Sequence, residues 1–246
     1  MRGEGFNIFV GTSGWQYDHW RGTFYPENIK KKDWLEFYSR FFNSVEINSS
    51  FYRLPSRRTL ESWRLITPLG FLFSVKASKY ITHMKKLKDP DKTVPPFLEA
   101  LRPLGDKLGP ILFQLPPRWE FDPERLYDFL EFLPGGYDYV FEFRDSSWFE
   151  SRALEALTEI GASFCIYELG GMHSPRHITS DLVYLRLHGP GAAYRGRYGR
   201  RGLSGWAGAL SAWVEQGKEI FCYFDNDEAG YAALDAVDLR DMVAGE

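Results

Sequence analysis

Residues 182–188 read Leu-Val-Tyr-Leu-Arg-Leu-His, an apolar strand-length run that turns polar at its C-terminal end. Five other runs end the same way. Val45-Glu46-Ile47-Asn48, Phe73-Ser74-Val75-Lys76, Ile111-Leu112-Phe113-Gln114 and Val140-Phe141-Glu142-Phe143-Arg144 precede it. Cys222-Tyr223-Phe224-Asp225-Asn226-Asp227 follows it. Polar groups on buried strands cost free energy unless they are paired or used. Set side by side in a closed parallel barrel, these ends converge on one mouth, where barrel enzymes carry out their chemistry.

Outward from these runs, strands are expected near 7–13, 44–49, 71–77, 110–115, 138–144, 162–167, 182–188 and 219–225. Helix-length segments separate most of them. Asp33 to Phe42 carries a helical apolar stripe, and Ser56 to Thr67 opens on a capping residue. Lys92 to Leu108 is interrupted by Pro95, Pro96 and Pro103, so any helix there is expected between the breaks. Asp122-Pro123-Glu124 reads as a cap and first turn, and Ser147 as the cap of a helix running to Ile160. Leu203–Gln216 and Glu228–Val243 supply the last two helices. Gly170 to Ser180 has no helical period, which predicts a barrel lacking its sixth helix. The expected fold is one α/β domain, a (β/α)8 TIM barrel over residues 1–246. A doubly wound open sheet is disfavoured, because no GxGxxG follows the first strand.

Composition narrows the function classes. The net charge of −3 argues against a protein that coats nucleic acid through overall charge, although a local basic patch is compatible with it. Aromatic residues make up 17% of the chain, so much of that content must be core. Cys165 and Cys222 sit inside apolar runs and read as buried free thiols in a reducing compartment. No apolar stretch is long enough to span a bilayer. The short polar N-terminus does not form a signal segment, so a cytoplasmic location is expected, with no membrane partner.

Several motifs together resemble a known family. They are Gly11-Thr12-Ser13-Gly14-Trp15, Trp20-Arg21-Gly22, Phe24-Tyr25-Pro26 and Glu46-Ile47-Asn48-Ser49-Ser50-Phe51-Tyr52. Phe113-Gln114-Leu115-Pro116-Pro117, Glu142-Phe143-Arg144 with Trp148, Arg186-Leu187-His188-Gly189 and Tyr223-Phe224-Asp225-Asn226 continue the series. The chain is similar over nearly its whole length to the YecE-like proteins, the "domain of unknown function 72" family. That resemblance implies a TIM barrel and brings no settled activity. The sixth run departs from the pattern in carrying Glu168 after Ile166-Tyr167.

Side chains two apart on a strand share a face, so Glu46 and Asn48, Glu142 and Arg144, and Arg186 and His188 form pairs. With Lys76 and Gln114 they would give two carboxylates against three permanent cations and a histidine. A surplus of cations calls for an anionic substrate, and arginine supplies a bidentate fork for one. Residues 191–202 add Tyr194, Arg195, Arg197 and Tyr198 in the loop after the seventh strand, where barrels often hold phosphate. Trp15, Tyr52 and Trp148 follow strands and would wall a pocket, and Asn226 closes the eighth strand.

The leading expectation is an enzyme, a hydrolase or lyase, acting on a phosphate-bearing anion, either nucleic acid or phosphosugar. Glu142, with Glu46 or His188, would move protons. Lys76 could alternatively form an imine if its pKa were lowered. A single Mg²⁺ or Mn²⁺ on Glu46, Glu142, His188, Asp225 and Asp227 is a further alternative. Two rivals remain: a glycosidase using Glu46 and Glu142, and a non-catalytic binder of nucleic acid or an anionic metabolite. Oligomeric state is not legible.

Overall fold

A computed structural model describes residues 8–245; the polar N-terminal segment and the expected strand start at residue 7 lie outside the described residues. The strands are β1 (Ile8–Thr12), β2 (Ser44–Ile47), β3 (Leu72–Lys76), β4 (Leu108–Gln114) and β5 (Tyr139–Glu142). They continue as β6 (Ser163–Leu169), the two-residue β7 (Met172–His173), β8 (Leu182–Leu187) and β9 (Glu219–Phe224). The helices are α1 (Trp34–Tyr38), α2 (Arg57–Ile66), α3 (Pro90–Leu101), α4 (Pro123–Phe132), α5 (Ser151–Glu159), α6 (Gly199–Glu215) and α7 (Tyr231–Ala244). Strand order is β1-β9-β8-β6-β5-β4-β3-β2, with β7 folded back antiparallel on β6. All eight expected runs are strands of one nearly closed parallel barrel. The segment between β6 and β8 carries only the β7 hairpin and no helix, as the missing period predicts.

The barrel closes at the β1–β2 seam by unusual means. Asn43 does the work of a strand residue there: its Oδ1 accepts from Val10 N at 3.1 Å and its Nδ2 donates to Ile8 O at 2.8 Å. Next along the seam, the Tyr38 hydroxyl accepts from Thr12 N at 2.8 Å and donates to Ser44 O at 3.2 Å. Backbone pairing resumes at the top, where Gly14 N donates to Glu46 O at 2.9 Å. Buried backbone groups must find partners, and here side chains provide them.

Two apolar regions hold the molecule. The larger packs the outer faces of the strands against the helices. The smaller fills the barrel with Phe9, Leu72, Leu112, Val140, Cys165, Leu182, Tyr184, Phe221 and Tyr223. Phe9 and Phe221 stack at 4.6 Å. The Tyr223 hydroxyl bonds to Ser44 Oγ at 2.5 Å and Ser74 Oγ at 2.7 Å, so the interior becomes polar halfway up. Both cysteines are free and buried, as expected.

Three helix expectations are corrected. α3 runs straight through Pro95 and Pro96. Both prolines lie on the exposed face, so the carbonyls they leave unbonded meet water, while Val94, Phe97, Leu98 and Leu101 bury the other face. Ser147 caps no helix; it lies in a 3-10 turn (Ser146–Phe149) capped by Asp145, and its Oγ accepts from Phe121 N at 2.8 Å. The last helix begins at Tyr231 after Gly230 (φ 75°) and not at Glu228, which leaves Asp225 and Asp227 free for other partners. Elsewhere the caps are as read. Ser56 Oγ accepts from Thr59 N at 3.1 Å, and Asp122 Oδ1 from Arg125 N at 3.0 Å.

Candidate functional site

Alternation along the strands turns Glu46, Lys76, Glu142 and Arg186 into the C-terminal mouth. Arg186 is 1% exposed and lies at the centre. Its Nε and Nη2 grip Glu46 Oε2 and Oε1 at 3.0 and 2.6 Å. Its Nη1 donates to Glu142 Oε2 at 2.8 Å. Ser13 Oγ and the Tyr184 hydroxyl donate to Glu46 at 2.6 and 2.7 Å. Arg144 Nε donates to Glu142 Oε1, and its guanidinium lies over the Tyr167 ring at 4.8 Å.

His188 is fixed by what surrounds it. Its Nε2 faces Arg186 Nη1 at 3.3 Å and Arg144 Nη2 at 3.2 Å. Guanidinium groups only donate, so Nε2 accepts and the proton resides on Nδ1. Nδ1 donates to Asp225 Oδ2 at 3.1 Å. Burial and then Arg186 push its pKa below the usual histidine value, against the pull of Asp225. The expectation of a proton shuttle at His188 gives way to a neutral imidazole that orients Asp225. Burial alone would raise the Glu142 pKa, but Arg144 and Arg186 hold it well below the usual carboxylate range. Asp225 is likewise held low against burial, by the His188 hydrogen bond and by Arg186.

The expected cation surplus is therefore corrected. Asp225 joins Glu46 and Glu142, and His188 is neutral, so three carboxylates face Arg144, Arg186 and Lys76. The residue that the tally of mouth charges omitted is Asp225. Its strand position on the same face as Tyr223 is legible in sequence, but its place beside Asn226 and Asp227 suggests a helix cap.

Within that balance the cations are unequal. Arg186 and Arg144 are ion-paired, whereas Lys76 Nζ has no hydrogen-bond or ion-pair partner among the described residues. It lies over the face of Phe51, 4.5 Å from the ring centre. Lys76 is 8% exposed. Burial, followed by Arg186, lowers its pKa to about 8. His83, on the loop after β3, packs on Phe51 at 4.9 Å, and burial with Lys76, Lys79 and Arg144 lowers its pKa to about 4. That loop is strained. It contains a π-helical turn at Tyr80–Met84 and positive φ at Lys86, Leu87 and Asp89. Such conformations persist only where surrounding packing enforces them, often beside sites; here the buried Leu87 anchors the loop.

The arginine loop differs most from expectation. The N-terminus of α6, a natural anion seat, is filled by the chain's own Asp235. Its carboxylate accepts from Tyr198 N at 2.9 Å, Gly199 N at 3.0 Å and Asn226 Nδ2 at 2.7 Å. Arg197 pairs with Asp238 at 3.0 Å and Asp235 at 3.6 Å, and Arg195 approaches Glu228 at 3.8 Å. Tyr198 and Asn226 are buried in this arrangement. Replacing Asp235 by Asn should cost roughly 1–2 kcal/mol in urea denaturation, because one of three acceptor contacts becomes a mismatched donor.

Trp15 and Trp148 are core residues; Trp148 Nε1 donates to Trp119 O at 2.5 Å. Tyr194, 48% exposed and set edge-on to His188, and Tyr52, 79% exposed, are the aromatic candidates that reach solvent. Gln114 turns its amide to Leu115 O at 3.1 Å, and Asn48 lies at the rim, half-buried. Glu46, Glu142, His188, Asp225 and Asp227 do not assemble a metal site: among the described residues no three His, Cys, Asp or Glu side chains come together as ligands. Asp227 instead accepts from Trp20 Nε1 at 2.5 Å and pairs with His19 at 3.0 Å.

The architecture and the mouth define a parallel eight-stranded barrel protein with a charged, self-paired C-terminal face. The chain belongs to the DUF72 family, described as "Protein of unknown function DUF72", whose profile matches residues 9–246. It is 27% identical to the UPF0759 protein YunF of Bacillus subtilis, over 96% of this chain and 94% of that one. It is 30% identical to the UPF0759 protein YecE of Escherichia coli K12, over 69% of this chain and 62% of that one. The crystal structure of a DUF72 family protein from Thermotoga maritima matches with a TM-score of 0.81 at 28% identity, over 96% of this chain and 99% of that one. One from Enterococcus faecalis shares the fold, with a TM-score of 0.79 at 20% identity, over 98% of this chain and 99% of that one. No described helix is long and apolar enough to cross a membrane.

Proposed function

We propose that this protein is an enzyme acting on a small phosphate-bearing substrate held in the mouth by Lys76 with Arg144. The observation that carries this reading is the Lys76 ammonium, which has no partner among the described residues in an otherwise paired network. A buried charge without a partner is costly, and an incoming anion would remove that cost. Arg144 faces the same mouth from the β5–β6 side, over Tyr167 and against His188; its Nε is held by Glu142 and its side chain is 8% exposed.

The glycosidase alternative requires a carboxyl that is protonated near neutrality. Glu142 is held ionised and Glu46 is clamped by Arg186. A nucleic-acid ligand would need a track of free cations, whereas Arg195 and Arg197 face acids of their own chain. A phosphosugar-sized anion is therefore preferred.

Calorimetric titration with inorganic phosphate, ribose 5-phosphate and a single-stranded oligonucleotide tests the reading. Lys76→Met should weaken phosphate and ribose 5-phosphate binding by roughly 10- to 100-fold, the loss of one charged hydrogen bond. Equal affinity in the wild type and Lys76→Met would overturn it. Tighter, steeply salt-dependent oligonucleotide binding would favour nucleic acid instead.

A further inference from the structure

We propose that Lys76 is a covalent catalytic residue, whose amine condenses with an aldehyde or ketone carbonyl of the substrate to form an imine. This deepens the reading above and rests on it for the substrate's phosphate, which Arg144 keeps when the Lys76 nitrogen takes the carbonyl; the carbonyl is the new element.

The geometry begins with the strand. Lys76 is the last residue of β3, and its backbone is pinned where Ser50 Oγ donates to Lys76 O at 2.6 Å. The side chain enters the mouth against Phe51, on which His83 of the strained loop after β3 also packs. An amine used as a nucleophile must keep its lone pair accessible, and a salt bridge would quench it. The ion pairs of the mouth go to the arginines, while Nζ is left against the hydrocarbon face of Phe51. A lysine recruited only to balance charge would be expected to contact one of the three carboxylates. The lowered pKa, about 8, agrees with this geometry and leaves a usable amine fraction near neutrality.

The condensation balances. The nitrogen lone pair attacks the carbonyl carbon and forms a C–N bond. The carbon–oxygen bond then breaks, and the oxygen leaves as water with two protons taken from the ammonium. The product is an iminium ion. It carries the same single positive charge that Lys76 carried, so Glu46, Glu142 and Asp225 face an unchanged balance. The iminium withdraws electrons from the neighbouring carbon, which suits a lyase or isomerase more than a simple hydrolase.

Reductive trapping provides the test. The full-length protein would be treated at pH 8 with glycolaldehyde phosphate or with glycolaldehyde, each with cyanoborohydride, and its peptides mapped by mass. Lys76 should be alkylated at least ~10-fold faster than the loop lysines Lys79, Lys85, Lys86 and Lys88, reflecting its larger amine fraction. The Lys76→Arg variant, which keeps the charge, should lose this fast site. Faster trapping by the phosphorylated probe supports both proposals. Equal trapping of Lys76 by the two probes supports the imine and counts against the phosphate reading. Labelling spread over the loop lysines with Lys76 unmodified overturns the imine, whatever the phosphate affinity proves to be.

Discussion

Arg186→Met should destabilise the fold by about 3–5 kcal/mol, the cost of breaking a buried ion pair from one side. Arg186 carries the centre of the mouth: it contacts Glu46 twice and Glu142 once, and it approaches Asp225 at 3.5 Å. Methionine fills much of the volume but leaves two fully buried carboxylates facing each other. For a chain of this size the melting temperature should fall by on the order of 10 °C. Adding Glu46→Gln to Arg186→Met should recover part of the loss, because the penalty is stranded charge and not missing packing. A loss below about 1 kcal/mol in urea denaturation would mean that the centre of the mouth relaxes or admits water.

The pH dependence has a definite sign. The folded Glu142 carboxyl is held below its unfolded value. Its stabilisation is therefore complete above roughly pH 5 and is lost as pH falls toward the folded pKa. The wild type should lose stability on acidification below about pH 4, and Arg186→Met should lose less, since Arg186 supplies part of that depression. Denaturation midpoints at pH 7 and pH 3 measure both.

Gly11→Ala is expected to cost about 3 kcal/mol or more, at the upper end for overpacking. The backbone angle is not the cause, since Gly11 is not among the glycines with positive φ. The cause is proximity: a Cβ at Gly11 would lie 2.1 Å from Ser44 O and 2.7 Å from the Tyr38 hydroxyl. A carbonyl on a buried strand cannot swing aside, so β1 would have to part from β2. That movement would break the bonds from Thr12 N to Tyr38 and from Val10 N to Asn43. Hydrogen exchange should show early loss of protection at Val10 and Thr12, while β5, on the far side of the barrel, keeps its own. A stable variant with unchanged protection at the seam would overturn this, showing that the seam takes up a Cβ without parting.

Several of these features were legible in sequence. Tyr184-Leu185-Arg186-Leu187-His188 displays a period of two in plain form, so the strand and the shared face of Arg186 and His188 follow directly. The same logic gives Glu142 with Arg144. The empty position of the sixth helix follows from a stretch without period. The aromatic residues after β1 were harder to place. Trp15 and Trp20 read equally well as a ligand wall or as core, and in the fold both are buried, Trp15 edge-on to Trp63 at 4.7 Å and Trp20 against Tyr25 at 5.6 Å. Neither composition nor spacing separates those two outcomes, because the same rings serve both.

The local pattern of this chain determined its strands, their inward faces and so the list of groups at the mouth, because alternation and helical period are properties of neighbouring residues. Which of those groups meet was decided only in three dimensions. Glu46, Glu142, Arg186 and Asp225 come from four separate strands, and their pairing depends on barrel closure and register. That closure placed Asp235 at the start of α6 in the seat a phosphate would take, neutralised both buried arginines, and left Lys76 without a partner among the described residues.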